Sequence, residues 1–110
     1  MKMINMTILL AVFLPLSVYA GEIFGSITEG DKSVGEKIKV EIVAANKASY
    51  TTETDKNGSY RLFVKEKGKC TFTVHFNKQT LSAELFSYDK SLRYDWIVEA
   101  KEGKYSVRRK

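Results

Sequence analysis

Cys70-Thr71-Phe72-Thr73-Val74-His75-Phe76 is the stretch that decides the fold. Side chains in a strand alternate between faces, so Cys70, Phe72, Val74 and Phe76 fall on one side and Thr71, Thr73 and His75 on the other. Helical spacing would scatter the same apolar residues around a cylinder. The alternation predicts a half-buried strand with its apolar face inward.

The flanking segments repeat the pattern. Tyr60, Leu62 and Val64 oppose Arg61, Phe63 and Lys65, while Ile38, Val40, Ile42 and Ala44 oppose Lys37, Lys39 and Glu41. Leu81, Ala83 and Leu85 line one side of Gln79 to Phe86. Leu92, Tyr94, Trp96 and Val98 oppose Arg93, Asp95 and Glu99, with Ile97 the one apolar residue on the polar side. Between the runs stand turn residues: Thr54-Asp55-Lys56-Asn57-Gly58-Ser59, Glu66-Lys67-Gly68-Lys69, Asn77-Lys78 and Glu102-Gly103-Lys104. Asn57-Gly58 suits the positive φ of a hairpin turn, because Gly has no Cβ to clash and Asn tolerates the left-handed region. A last strand is expected around Tyr105 to Arg108. Some seven or eight short strands at close spacing, with no segment long enough for an independent helix, predict an all-β sandwich or small barrel.

The first twenty residues differ from the rest. Lys2 precedes an apolar run from Ile4 to Val18, and small residues close it at Val18 and Ala20. This order is read as a cleavable signal peptide, residues 1–20, leaving a single domain at 21–110 and no transmembrane anchor after cleavage. Pro15 and Ser17 interrupt the run before the roughly 20 apolar residues that a spanning helix needs. The expected location is the periplasm or the cell exterior. Without Lys2 the chain has 17 basic and 13 acidic residues, a net +4 spread along its length. Cys70 is the only cysteine, which excludes an intramolecular disulfide and a Cys-rich metal site.

Three segments together resemble the carboxypeptidase regulatory-like domains, whose fold is the transthyretin-like or prealbumin-like β-sandwich. They are Glu22 to Thr28 followed by Ile38 to Ile42, then Tyr50-Thr51-Thr52-Glu53-Thr54-Asp55-Lys56-Asn57-Gly58-Ser59-Tyr60-Arg61-Leu62, then Lys67 to Val74. Lys67 stands where that family usually has proline before Gly68. The resemblance implies a seven-stranded antiparallel Greek-key β-sandwich, exported and non-catalytic, used as an accessory or interaction module. Two chemistries found on similar folds are not matched. The chain ends Tyr105-Ser106-Val107-Arg108-Arg109-Lys110 rather than in the signature of the ring-opening hydrolases, and Glu22 to Thr28 lacks the lysine of adhesin-type cross-links.

Catalysis has little to draw on. His75 is the only histidine and lies on the polar side of its strand, with no nucleophile or orienting carboxylate evident from the sequence. Asp55 is read as the first residue of a turn and Asp95 as the surface partner of Arg93. No cofactor, metal or nucleic acid is expected. Phe24, Phe63 and Ile97, opposite their strands' main apolar faces, are the candidate interaction patch, for another envelope or secreted protein or for carbohydrate. Tyr94 and Trp96 are assigned to the core. Arg108, Arg109 and Lys110 are read as a solvated, frayed terminus, with contact to anionic lipid or polysaccharide as the rival reading.

Overall fold

The computed structural model describes residues 21–110, so the signal-peptide reading of residues 1–20 lies outside the described residues. These residues form an all-β structure of two facing sheets. The strands are β1 (Glu22–Glu29), β2 (Lys32–Ser33), β3 (Lys39–Ala44), β4 (Ser49–Glu53), β5 (Ser59–Phe63), β6 (Gly68–Phe76), β7 (Gln79–Ser87), β8 (Leu92–Arg93), β9 (Trp96–Lys101) and β10 (Lys104–Arg109).

One sheet is antiparallel throughout, in the order β4, β3, β6, β7. The other is organised around β1. On one flank β5 and then β2 run antiparallel to it; on the other, β8 and then β9 run parallel to it, with β10 outside β9. Seven antiparallel strands are thus replaced by ten, two of which are only two residues long, and β1 has parallel partners. The late apolar run is divided because the parallel ladder with β1 breaks between the Tyr94 amide and Trp96. Tyr94 N–H donates to the Phe24 carbonyl (2.8 Å), and the Asp95 carboxylate takes the Ser26 amide (2.9 Å).

The alternating residues meet in one interior. Val40, Ile42, Phe72, Val74 and Leu85 of one sheet face Ile23, Ile27, Leu62, Trp96 and Val98 of the other, all buried. Phe72 stacks on Trp96 across the layers, with ring centroids 4.3 Å apart and planes within 12°. Burying a large apolar side chain stabilises by about 1.5 to 3 kcal/mol. The shared interior is therefore what holds the two sheets face to face.

The turns divide into two kinds. Asn77-Lys78 and Glu102-Gly103 are two-residue hairpin loops with positive φ at both positions (52° and 64°, 52° and 82°), as a type I′ turn requires. The Asn57-Gly58 turn is not a hairpin. It carries the chain from β4 in one sheet to β5 in the other, and no ladder joins those two strands among the described residues. Asp55 shapes it, its Oδ1 accepting the amides of Asn57 (2.9 Å) and Ser59 (3.0 Å). The Gly68 connection likewise changes sheet, from β5 to β6. Local turn chemistry specifies a reversal but not which sheet the next strand joins.

Gly58 has φ +75°, and a Cβ there would lie 2.8 Å from the Ile27 carbonyl oxygen. Gly58→Ala therefore combines strain with a backbone clash and is expected to cost roughly 2 kcal/mol, read as a lowered urea midpoint at unchanged m-value.

Candidate functional site

The two outer faces of the sandwich differ in kind. On the four-stranded sheet, neighbouring residues across the strands read Glu53, Lys39, His75, Thr80 and then Thr51, Glu41, Thr73, Ser82, with Val43 and Phe86 towards one end. Thr73 and Ser82 hydroxyls lie 3.3 Å apart, and Ser49 Oγ donates to Glu41 (2.6 Å). This is a hydroxyl-rich surface in which Thr73 is itself buried and Phe86 is exposed at one end. His75 stands on it between Lys39 and Thr80, half-buried, its Nε2 covered and without a hydrogen-bond partner.

The six-stranded sheet presents arginines and apolar groups. Phe24 stands between Arg61 of β5 and Arg93 of β8, each guanidinium carbon 5.9 Å from the ring centroid. Carboxylates hold both arginines there. Arg61 Nε lies 2.9 Å from Glu22, and Arg93 Nε donates to both Asp95 oxygens (2.9 and 3.1 Å). Partial burial works to raise the Asp95 carboxyl, but Arg93 and the Ser26 amide outweigh it and hold it below its ordinary value. Phe63 lies beside Glu22 and is 45% exposed, whereas Phe24 is half-buried beneath its arginines.

Ile97 lies on the same face but further along. It neighbours Thr28, four residues beyond Phe24 on β1, or about 13 Å at strand rise. Ser26 and Asp95 stand between. Phe24, Phe63 and Ile97 therefore share one face without forming a continuous apolar patch, since charged and hydroxyl groups alternate with them. The Arg93–Asp95 surface pair read from the sequence is present, but Arg61 is not singled out there, nor is either arginine as a neighbour of Phe24. Their outward positions are legible in the alternation, but only the strand register reveals that they flank one ring.

The basic end is built into the sheet rather than frayed. Arg108 is in β10 and forms a two-point ion pair with Glu99 (2.9 and 3.1 Å), which holds Glu99 below the usual carboxylate range. Arg109 places its guanidinium 4.4 Å from the Tyr94 ring centroid, and the Lys110 amide donates to the Asp95 carbonyl (2.9 Å). The frayed-terminus expectation fails because antiparallel pairing with β9 extends to Arg109, opposite Trp96.

Tyr94 and Trp96 are core residues, as their alternation predicts. Trp96 Nε1 donates to the Tyr60 hydroxyl (2.9 Å), which donates to the Tyr94 carbonyl (2.6 Å). Burial pushes the Tyr60 phenol far above its ordinary value. Tyr94 reaches the other sheet, its hydroxyl accepting from the Phe86 amide (3.2 Å) and donating to the Phe86 carbonyl (2.8 Å). Cys70 is buried, and burial raises its thiol. Among the described residues no group of three His, Cys, Asp or Glu side chains could hold a metal ion, and no helix is long and apolar enough to cross a membrane.

No protein-family model matches the chain, and no curated protein matches it. Among solved structures it is similar to a 9R-lipoxygenase from Cyanothece, with 12% identity and a TM-score of 0.45, over 76% of this chain and 17% of that one. The chain thus spans less than a fifth of that structure's length. A likeness this loose carries no argument about fold or function.

Tyr60→Phe leaves the buried Trp96 N–H and Tyr94 carbonyl without their partner and is expected to cost about 3 kcal/mol in urea unfolding. Asp95 gives a pH signature. Its folded value lies below the ordinary 3.8, so the stability tied to its ionisation is present above pH 3.8 and is lost as pH falls through the folded value. Asp95→Asn should flatten that acid limb in a pH series of urea midpoints.

Proposed function

We propose that this protein is an exported, non-enzymatic binding or accessory domain of the carboxypeptidase regulatory-like type, a prealbumin-like sandwich that engages another envelope or secreted protein through the outer face of its six-stranded sheet. The supporting observation is the contrast between the two outer faces. One is hydroxyl-rich, with no arginine and with Phe86 as its exposed aromatic; the other sets Phe24, Phe63 and Ile97 among Arg61, Arg93 and Arg108. Aromatic residues and arginine are the residue types enriched at protein interfaces and among their energetic hot spots. The ion pairs to Glu22, Asp95 and Glu99 restrain the three guanidiniums before binding, which reduces the side-chain entropy lost on association.

The family reading is supported by where its three sequence segments fall. They occupy β1 and β3, the β4-turn-β5 crossing, and the start of β6. Among the connections, β1 to β2, β3 to β4, β6 to β7 and β9 to β10 are hairpins within a sheet, while β2 to β3, β4 to β5, β5 to β6 and β7 to β8 change sheet, in keeping with Greek-key connectivity.

Phe63→Asp and Ile97→Asp, made separately, should each reduce capture of the native partner from the envelope at least tenfold in quantitative pulldown, whereas Thr71→Asp on the opposite face should leave it unchanged. Equal capture by all three variants would overturn the assignment of this face.

A further inference from the structure

Four long strands lie at the sheet borders, and three of them are defended. β10 carries Lys104, Arg108 and Arg109. β7 has its Phe86 amide and carbonyl occupied by the Tyr94 hydroxyl, and its first residue, Gln79, binds the Tyr105 amide (3.0 Å) and the Gly103 carbonyl (3.1 Å) of the other sheet. β5 has Ser59 engaged on both backbone groups by Asp55, and Arg61 on its border. The fourth, β4, reads Ser49-Tyr50-Thr51-Thr52-Glu53. It has high strand propensity and none of the lysine, proline or bulge that usually blunts an exposed edge.

The direction of its backbone groups follows from the bonds at its ends. Ala44 N–H donates to the Ala48 carbonyl (2.9 Å) and Thr54 N–H to the Ile38 carbonyl (3.0 Å), so Tyr50 and Thr52 are the residues that exchange hydrogen bonds with β3. Ser49, Thr51 and Glu53 therefore aim their N–H and C=O groups outward, and among the described residues these groups have no partner. We propose that β4 is a self-association edge, on which β4 of a second copy of this chain pairs antiparallel about a two-fold axis at Thr51.

The sequence of the strand suits that occupant. Centring on Thr51 sets Thr51 against the partner's Thr51 and Ser49 against the partner's Glu53, so outward backbone groups face outward backbone groups at every such pair. Across the seam hydroxyl meets hydroxyl and hydroxyl meets carboxylate, with no like charges opposed. A register centred on Glu53 would instead oppose two carboxylates. The dimer would join two four-stranded sheets into one continuous sheet and leave the arginine-bearing face of the other sheet open on both copies. A seam five residues long is at the small end of specific interfaces, so the association is weak.

Sedimentation velocity on the purified protein is expected to show a reversible dimer growing in between about 10 μM and 1 mM. Thr51→Pro removes an amide that β3 does not use, so the monomer should keep its unfolding midpoint while the dimer is lost. Ser49→Lys, facing the partner's Glu53, should tighten association several-fold at low salt, and Ser49→Glu should weaken it. A protein that stays monomeric throughout, a dimer indifferent to Thr51→Pro, or Ser49 variants of opposite charge that shift association in the same direction would each overturn the proposal. The Ser49 pair keeps the test intact should the proline variant fail to fold.

Discussion

The structure depends on burying one tryptophan between two sheets while satisfying its single donor. Trp96 is fully buried and stacked on Phe72, so its indole N–H is cut off from water and needs a partner within the protein. Tyr60 supplies it from the opposite flank of β1 and in turn donates a hydrogen bond to the Tyr94 carbonyl. That carbonyl is available because the Ser26 amide bonds the Asp95 carboxylate instead, and it can approach because residue 25 is glycine. A Cβ there would lie 1.9 Å from the Tyr94 oxygen. One aromatic side chain thus sets the identity of a residue on a neighbouring strand and the break between β8 and β9.

The break also shapes the outer surface. Once Asp95 is out of register, its carboxylate replaces a ladder acceptor for Ser26 and remains close enough to Arg93 to hold the guanidinium against Phe24. Arg61, fixed by Glu22, completes the pair from the other side. Such exposed ion pairs contribute little to stability, typically under about 1 kcal/mol each. Their consequence is geometric: they spread flexible cations across an aromatic ring, so this face carries arginines and half-buried apolar groups that the other sheet's outer face does not combine. Arg109, packed on the Tyr94 ring, belongs to the same construction from the edge.

A two-sheet sandwich cannot close its borders by sheet pairing alone, so each border strand needs separate treatment. Tyr94, Gln79 and the β10 cations deal with one side of this molecule by side-chain bonds and charge. On the other side Asp55 serves β5, whereas β4 is tied by its Tyr50 hydroxyl to Glu66 and, among the described residues, no side chain occupies its outward backbone groups. The sandwich is therefore asymmetric in two respects, between its outer faces and between its borders, and the two asymmetries lie on different sheets.

The sequence by itself determined that residues 21–110 are all-β, which of their side chains go inside and roughly where the strands lie. Phe72, Val74, Leu62 and Trp96 are legible as core because period-two alternation is a local property, written within a few residues of chain. The outward positions of Phe24, Phe63 and Ile97 were legible for the same reason. Register, partner choice and strand direction were not, because they depend on contacts between residues far apart in the chain. Asn57-Gly58 looks like a hairpin yet crosses between sheets; Arg61 and Arg93 meet at Phe24 only after β5 and β8 dock on opposite flanks of β1; and Arg108 to Lys110 look like a loose end until β9 takes them up. Side-chain direction is fixed by the backbone of each strand alone, whereas neighbours are fixed by how all the strands bury Trp96 and Phe72 together, and only the assembled sandwich decides that.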